Sequence, residues 1–183
     1  MSQAPIVGTR GNSVKNFLLG ALAAIALPAL AAFIYLGLGF ASINSDAKPP
    51  EWEARLMYRA IHASVRRSAP KLQSPLPATD ETIIAGGRLY LNDCVGCHGA
   101  PGKPPSDFGA TFYPPAPQFP AIGTQYSQAG VFWIAKHGIR HTGMYSQGSS
   151  YKDESLWRLA AFITAANNLS PGASQALQPK PAK

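Results

Sequence analysis

The chain has 183 residues, a length that excludes a large multidomain enzyme. Of these residues 46% are hydrophobic and only 14% are charged. Its 16 basic and 9 acidic side chains give a net charge of +7. Its two cysteines exclude a disulfide-rich scaffold and a zinc site built from four cysteines.

A long uncharged segment lies near the N-terminus and contains the almost wholly apolar residues 17–41. As a helix it would span about 37 Å, enough to cross a hydrocarbon core of about 30 Å. Pro28 is expected to kink this helix, because proline removes a backbone donor. The alternative is a cleaved secretory signal, whose apolar region is usually shorter, at roughly 7–15 residues. We therefore predict a retained transmembrane anchor, and residues 1–45 as a cytoplasmic stub and anchor.

Residues 46–79 are predicted to form a juxtamembrane helix followed by a proline-bearing linker. Within residues 50–67, apolar side chains recur at helical spacing and arginines lie between them. Such a basic amphipathic helix could lie on anionic headgroups, or it could pack on a partner subunit or on its own domain. His62 is interpreted as a surface histidine. The apolar positions are Trp52, Leu56, Ala60 and Ala63, and the basic ones are Arg55, Arg59, Arg66 and Arg67.

Both cysteines lie in one pentapeptide that spans residues 94–98 and reads CVGCH. On a helical turn, positions three apart share a face, so the thiols of Cys94 and Cys97 can both form thioethers with one haem. His98 is then placed to bind the iron, which is the attachment pattern of c-type haem. A zinc ribbon would need a second ligand pair, and a thioredoxin-like site would need a βαβ pattern that the sequence lacks.

The second axial ligand is predicted to be Met144, which is the only methionine after the haem motif and lies in a glycine-rich loop. A thioether ligand raises the reduction potential of haem iron relative to a second imidazole. His137 and His141 lie close by in sequence and remain alternatives.

Capping residues predict three helices around this motif. Thr79 or Asp80 can cap a helix that runs to about residue 93, and Ser127 can cap one that ends near Gly138. Asp153 can cap a helix over residues 154–167. Between the motif and Ser127, a proline-rich stretch excludes regular helix and is expected to wrap a haem edge. One of its proline carbonyls is expected to accept the second ring N–H of the histidine ligand.

Residues 80–170 resemble a class I (monohaem) c-type cytochrome. Gly86, Tyr90 and Cys94 have the glycine–aromatic–cysteine spacing of the first helix in that family. Leu159 and Phe162 fit its last helix, whose aromatic residue packs across the glycine of the first.

The segment that delivers the methionine in this family resembles residues 132–139 followed by residues 142–144. The family usually has proline after the methionine, whereas this chain has Tyr145.

The resemblance implies an all-α fold, in which a small haem domain of three to four helices with a long proline-rich loop follows one transmembrane helix. It implies one covalently bound haem c, held by Cys94, Cys97, His98 and Met144. Trp133 and Arg140 are candidates for contacting the haem propionates, and residues 171–183 are predicted to be a disordered tail.

The predicted function is electron transfer rather than enzymatic catalysis, between redox proteins that are themselves membrane-bound. Arg10 and Lys15 precede the apolar span without any acidic residue, which favours a cytoplasmic N-terminus and a periplasmic haem domain at a bacterial inner membrane. No basic stripe with interleaved aromatics indicates a nucleic-acid partner. The alternatives are a fixed subunit of a membrane oxidoreductase complex and, less favoured, an open-site haem peroxidase or gas sensor.

Overall fold

A computed structural model describes residues 10–44 and 47–178 and divides the chain into two compact units, Met1–Asn44 and Ser45–Lys183. Over the residues it describes, the regular secondary structure is entirely α-helical, as predicted. The helices are α1 (Arg10–Gly37), α2 (Glu51–Ser68), α3 (Asp80–Asp93), α4 (Val95–His98), α5 (Asp107–Ala110), α6 (Phe119–Ile122), α7 (Gln128–His137), α8 (Asp153–Ala165) and α9 (Pro171–Ala176).

The first unit consists of α1 and a short segment after it. The stretch Ser13–Gly37 has a mean hydropathy of 2.5, and none of it is buried. It is long and apolar enough to cross a membrane, although a signal sequence near an N-terminus has the same properties. The helix continues through Pro28 and ends at Gly37, four residues before the predicted end of the apolar span.

The core of the second unit lies where α3 crosses α8. A Cβ atom at Gly86 would lie 1.9 Å from the carbonyl oxygen of Arg158, so the helices can approach only because this residue is glycine. The adjacent Gly87 faces the ring of Phe162, which lies 4.9 Å from the ring of Tyr90. Phe162 of α8 therefore packs against the glycine pair of α3, at Gly87. The largest fully buried side chains are Tyr90, Leu156, Leu159 and Phe162.

Two of the predicted helix starts are confirmed by capping hydrogen bonds. The Thr79 hydroxyl accepts from the Thr82 amide at 3.3 Å at the start of α3, and the Ser127 hydroxyl accepts from the Gly130 amide at 3.2 Å at the start of α7. Gly138 ends α7 with φ +69°, a conformation that glycine adopts without strain.

The predicted cap at Asp153 is wrong. Lys152 occupies the N-cap position of α8 and makes no side-chain cap bond, while Asp153 lies within the first turn. Its carboxylate instead pairs with the Lys136 ammonium at 2.7 Å, and this ion pair links α8 to α7. The negative charge of Asp153 also stabilises the N-terminus of α8 through the helix dipole.

Helix α2 packs on its own domain, one of the three arrangements that the sequence left open. Val65 is buried, with a methyl group 3.3 Å from the position of a Cβ atom on Gly130. The ring of His62 stacks on that of Tyr126 at 4.7 Å. His62 is therefore half-buried and not a surface histidine.

The prediction of a disordered tail from residue 171 is wrong as far as residue 178. Ser170 caps α9 by accepting from the Ala173 amide at 3.0 Å, and Ala173 and Leu177 are buried. Leu177 packs on the backbone of α3 at Gly87, where the missing side chain leaves room for it. Residues 179–183 lie outside the described residues.

Candidate haem site

The predicted attachment motif forms a single helical turn at the end of α3. Cys94 caps α3, and its carbonyl oxygen accepts hydrogen bonds from the amides of Cys97 and His98 at 3.2 and 2.9 Å. Both cysteines are half-buried and line one cavity together with His98. The turn therefore brings two thiols and one imidazole to the same side of the backbone.

A backbone carbonyl fixes the proton position on the His98 ring. Nδ1 of His98 lies 2.8 Å from the carbonyl oxygen of Pro117, which can only accept a hydrogen bond. Nδ1 therefore carries the proton and Nε2 keeps its lone pair, as a metal-binding imidazole requires. The ring of Phe119 stacks on that of His98 at 4.7 Å. Burial lowers the pKa of His98, which favours the neutral ring, although the bond to Pro117 opposes this shift.

The proline-rich loop is tied to the motif by Gln118. Its amide nitrogen donates to the carbonyl oxygen of Cys97 at 3.0 Å, and its amide oxygen accepts from the backbone N–H of Ser106 at 2.8 Å. The Ser106 hydroxyl donates in turn to the carbonyl oxygen of Gly96 at 2.5 Å. One side chain thus holds the loop that supplies the Pro117 carbonyl.

The opposite side of the motif is held by a buried tyrosine of α3. The Tyr90 hydroxyl lies 2.9 Å from the carbonyl oxygen of His98 and 2.7 Å from that of Gly99, and it donates to this pair. Burial raises the pKa of Tyr90, which keeps the hydroxyl protonated as a donor.

Met144 lines the same cavity as His98, whereas His137 and His141 are exposed and do not line it. The loop that carries Met144 is fixed from both ends. The Met144 carbonyl accepts from the Ile139 amide at 2.8 Å, and the Gln147 amide donates to the carbonyl oxygen of Ala135 at 2.9 Å. Of the three proposed sixth ligands, the structure brings only Met144 together with the attachment motif.

The wall of the cavity is largely apolar and includes a contribution that the sequence analysis missed. Ile61 of α2 and Tyr126 both line it. No sequence signal identified the surface on which α2 packs, so the contribution of Ile61 was not predicted. The other apolar lining residues include Phe112, Phe119, Val131, Ile134, Ala135, Ile139, Leu159 and Ile163.

The two candidates for propionate contact, Trp133 and Arg140, do not line the cavity. Trp133 is half-buried with its ring 5.1 Å from that of His137, and Arg140 is exposed. Their contact with propionates stays a prediction.

The chemistry of the cysteines argues against a dithiol redox site. Burial, followed by the nearby Asp93 and Cys97, raises the pKa of the Cys94 thiol to about 12. Reactive redox cysteines instead have a lowered pKa. Within residues 10–44 and 47–178, no cluster of three or more His, Cys, Asp or Glu side chains could hold a bare metal ion.

These donors fit a haem. An apolar cavity suits the porphyrin, the two thiols suit covalent attachment at one edge, and an imidazole with a free Nε2 suits iron. The sulfur of Met144 offers a soft ligand from a separate loop.

A family model agrees with this assignment. Residues 81–163 match the family model described as cytochrome c oxidase, cbb3-type, subunit III. No curated protein matches the chain. Among solved structures, cytochrome cL from the marine methylotrophic bacterium Methylophaga aminisulfidivorans MPT is 23% identical, with a TM-score of 0.37 over 63% of this chain and 84% of that one. The family match over residues 81–163, together with the residues that line the cavity, supports a class I c-type cytochrome domain in this part of the chain.

Proposed function

We propose that the chain is a membrane-anchored monohaem cytochrome c that carries single electrons between respiratory-chain or dehydrogenase partners on the periplasmic side of a bacterial inner membrane. The observation that supports this most strongly is that Cys94, Cys97, His98 and Met144 line one apolar cavity. When bound there, haem supplies a one-electron iron couple.

In this proposal four side chains of the cavity would hold the cofactor. Cys94 and Cys97 would provide the thioether sulfurs, and His98 and Met144 would provide the ligands to the iron. The apolar wall limits access of water, which favours electron transfer over reactions that need a bound substrate. The histidines considered for a distal acid–base role, His137 and His141, lie outside the cavity, which disfavours a peroxidase or gas sensor.

The anchoring part of the proposal depends on α1. The span Ser13–Gly37 has the length and hydropathy of a membrane helix, and the cationic Arg10 and Lys15 favour a cytoplasmic N-terminus. Tethering would confine the haem domain to encounters near the bilayer, which raises the effective concentration of membrane-bound redox partners.

A fixed subunit of a multi-subunit membrane oxidoreductase is the second candidate. The matched family model is named for an oxidase subunit, which favours this version. Gentle solubilisation of the membrane followed by native electrophoresis separates the two. We expect this chain to migrate alone if it is a carrier and with a large assembly if it is a fixed subunit.

Spectroscopy of the full-length, haem-loaded chain tests the electron-transfer assignment. We expect a six-coordinate, low-spin ferric spectrum with a methionine–iron charge-transfer band, and no change of the reduced spectrum on adding carbon monoxide. A high-spin ferric spectrum that shifts with cyanide, together with a reduced spectrum that shifts with carbon monoxide, would instead establish an open site and favour the enzyme or sensor function.

A further inference from the structure

Helix α2 has two faces with different surroundings. Its inner face packs on the haem domain through Val65, which is buried, and Ile61, which lines the haem cavity. Its outer face lies on the opposite side of the helix and is exposed. Trp52 is 65% and Leu56 57% exposed, and the same face continues through the exposed Ala60 and Ala63.

The outer face is also positively charged. Arg59 and Arg66 border one side of the apolar stripe, Arg67 follows it at its C-terminal end, and all three are exposed. Among the described residues, none of these three arginines forms an ion pair, whereas Arg55 pairs with Glu51 at 3.3 Å. Three guanidinium groups therefore flank an apolar stripe with their charge uncompensated.

The outer face lies close in sequence to the proposed anchor. Thirteen residues separate Gly37, the last residue of α1, from Glu51, the first residue of α2. A fully extended chain of that length reaches at most about 45 Å. If α1 spans the membrane, the linker therefore lets Trp52 reach the headgroup layer and keeps it within about 45 Å of the end of α1.

We propose that the outer face of α2 lies on an anionic phospholipid surface. Trp52 and Leu56 enter the boundary between headgroups and acyl chains, where an indole ring is favoured, and Arg59, Arg66 and Arg67 contact lipid phosphates. Charge complementarity and the short tether favour lipid over a protein partner. The inference rests on the membrane anchoring proposed above. Because Ile61 lies on the other face of α2, lipid contact would hold the haem cavity beside the bilayer.

Site-directed spin labelling of the full-length, haem-loaded chain in nanodiscs tests this proposal. Cys94 and Cys97 are consumed as thioethers in the mature protein, so Ala63→Cys provides a single labelling site on the outer face. Lys103→Cys in the exposed proline-rich loop is the matched control. Discs of phosphatidylcholine alone are compared with discs that also contain phosphatidylglycerol.

We expect the Ala63→Cys label to collide more with oxygen and less with a water-soluble nickel chelate in the anionic discs. The Lys103→Cys label should not change. Combining Arg59→Gln, Arg66→Gln and Arg67→Gln with Ala63→Cys should abolish the lipid dependence. Equal nickel access of the Ala63→Cys label in both disc types would overturn the proposal, as would a lipid response that survives loss of the arginines.

A third label separates this proposal from the anchoring on which it rests. A label at Leu22→Cys in α1 should be accessible to oxygen and shielded from nickel in both disc types. If the Leu22→Cys label is shielded from nickel while the Ala63→Cys label stays in water, the proposed anchoring is supported and the proposed lipid contact of α2 is wrong. If the Leu22→Cys label is itself exposed to water, the anchoring is wrong.

Discussion

The ring of His98 and the backbone of Pro117, nineteen residues apart, are joined by a hydrogen bond of 2.8 Å. This bond makes Nδ1 the protonated nitrogen and leaves Nε2 as the donor atom toward the cavity. The carbonyl group belongs to a loop that Gln118 ties to Cys97. The histidine ligand and the loop that orients it therefore form one hydrogen-bonded unit.

Gln118→Ala should destabilise this unit. The change leaves the half-buried carbonyl of Cys97 and the amide of Ser106 without their side-chain partner, which costs about 1–3 kcal/mol of unfolding free energy. Denaturant unfolding of the haem-loaded protein, followed by haem absorbance, measures the loss. Gln175→Ala on the exposed surface of α9 is the matched control and should change stability by less than about 0.5 kcal/mol. Equal stability of the two variants would show that the Gln118 contacts do not hold the loop.

Met144→Ala should remove the methionine–iron charge-transfer band and lower the reduction potential, because the thioether favours ferrous iron. Optical spectroscopy and redox titration measure both effects. Met57→Ala is the matched control, since Met57 lies exposed on α2. His137→Ala and His141→Ala should also leave the band unchanged. Loss of low-spin character in either histidine variant, with Met144→Ala unaffected, would transfer the ligand role to that histidine.

Gly86→Ala should destabilise the crossing of α3 and α8, because its Cβ atom would overlap the carbonyl oxygen of Arg158. Overpacking of this kind costs about 1–3 kcal/mol or more. Gly96→Ala is the matched control, since a Cβ atom there has no neighbour within 4 Å. It should be neutral or stabilising by up to about 1 kcal/mol, because alanine favours helix. Thermal unfolding compares the two variants, and a smaller effect at Gly86 than at Gly96 would contradict the packing described for this crossing.

The docking of α2 on the haem domain should weaken in acid. Burial lowers the pKa of His62, and the positive charge of Arg66 on the same helix lowers it further. Across the interface, the ring faces the hydroxyl of Tyr126 and the amide of Gln125, and Tyr58 lies beside it on α2. The docked state therefore binds a proton less readily than the undocked one. Its stability is full above the ordinary pKa of histidine, about 6.5, and is lost as the pH falls below that value.

Hydrogen exchange of the α2 amides at pH 5.5 and 7.5 measures this effect. We expect faster exchange at the lower pH, after correction for the intrinsic rate. His62→Phe keeps an aromatic ring against Tyr126, but the phenylalanine side chain cannot titrate. The protection of the α2 amides in this variant should therefore not depend on pH. The same acid-dependent loss of protection in that variant would assign the effect to another group.

Local sequence patterns were sufficient to identify the haem motif and the ends of α3 and α7. The pentapeptide at residues 94–98 carries its chemistry in adjacent residues, and Ser127 and Gly138 act on the backbone next to them. The proline carbonyl that accepts from His98 could be expected as a type, but only the path of the loop identifies Pro117.

The features that the sequence did not reveal depend on long-range packing. The amphipathic pattern of α2 was consistent with contact to lipid, to a partner or to its own domain, and only the tertiary structure shows Val65 packed against Gly130. Leu177 is a single apolar residue in a polar tail, so no periodicity indicated that it packs at Gly87. Gln118 acts through contacts with residues 12 and 21 positions away.

Mass spectrometry of the denatured full-length chain, purified after expression with a c-type maturation system, tests the central claim most directly. The claim is that the chain carries one covalently bound haem. We predict that the mass of exactly one haem stays on the chain after denaturation and maps to the peptide that contains Cys94 and Cys97. Cys94→Ala with Cys97→Ala should abolish it. A colourless chain with two free thiols, from cells that mature another c-type cytochrome normally, would contradict the claim.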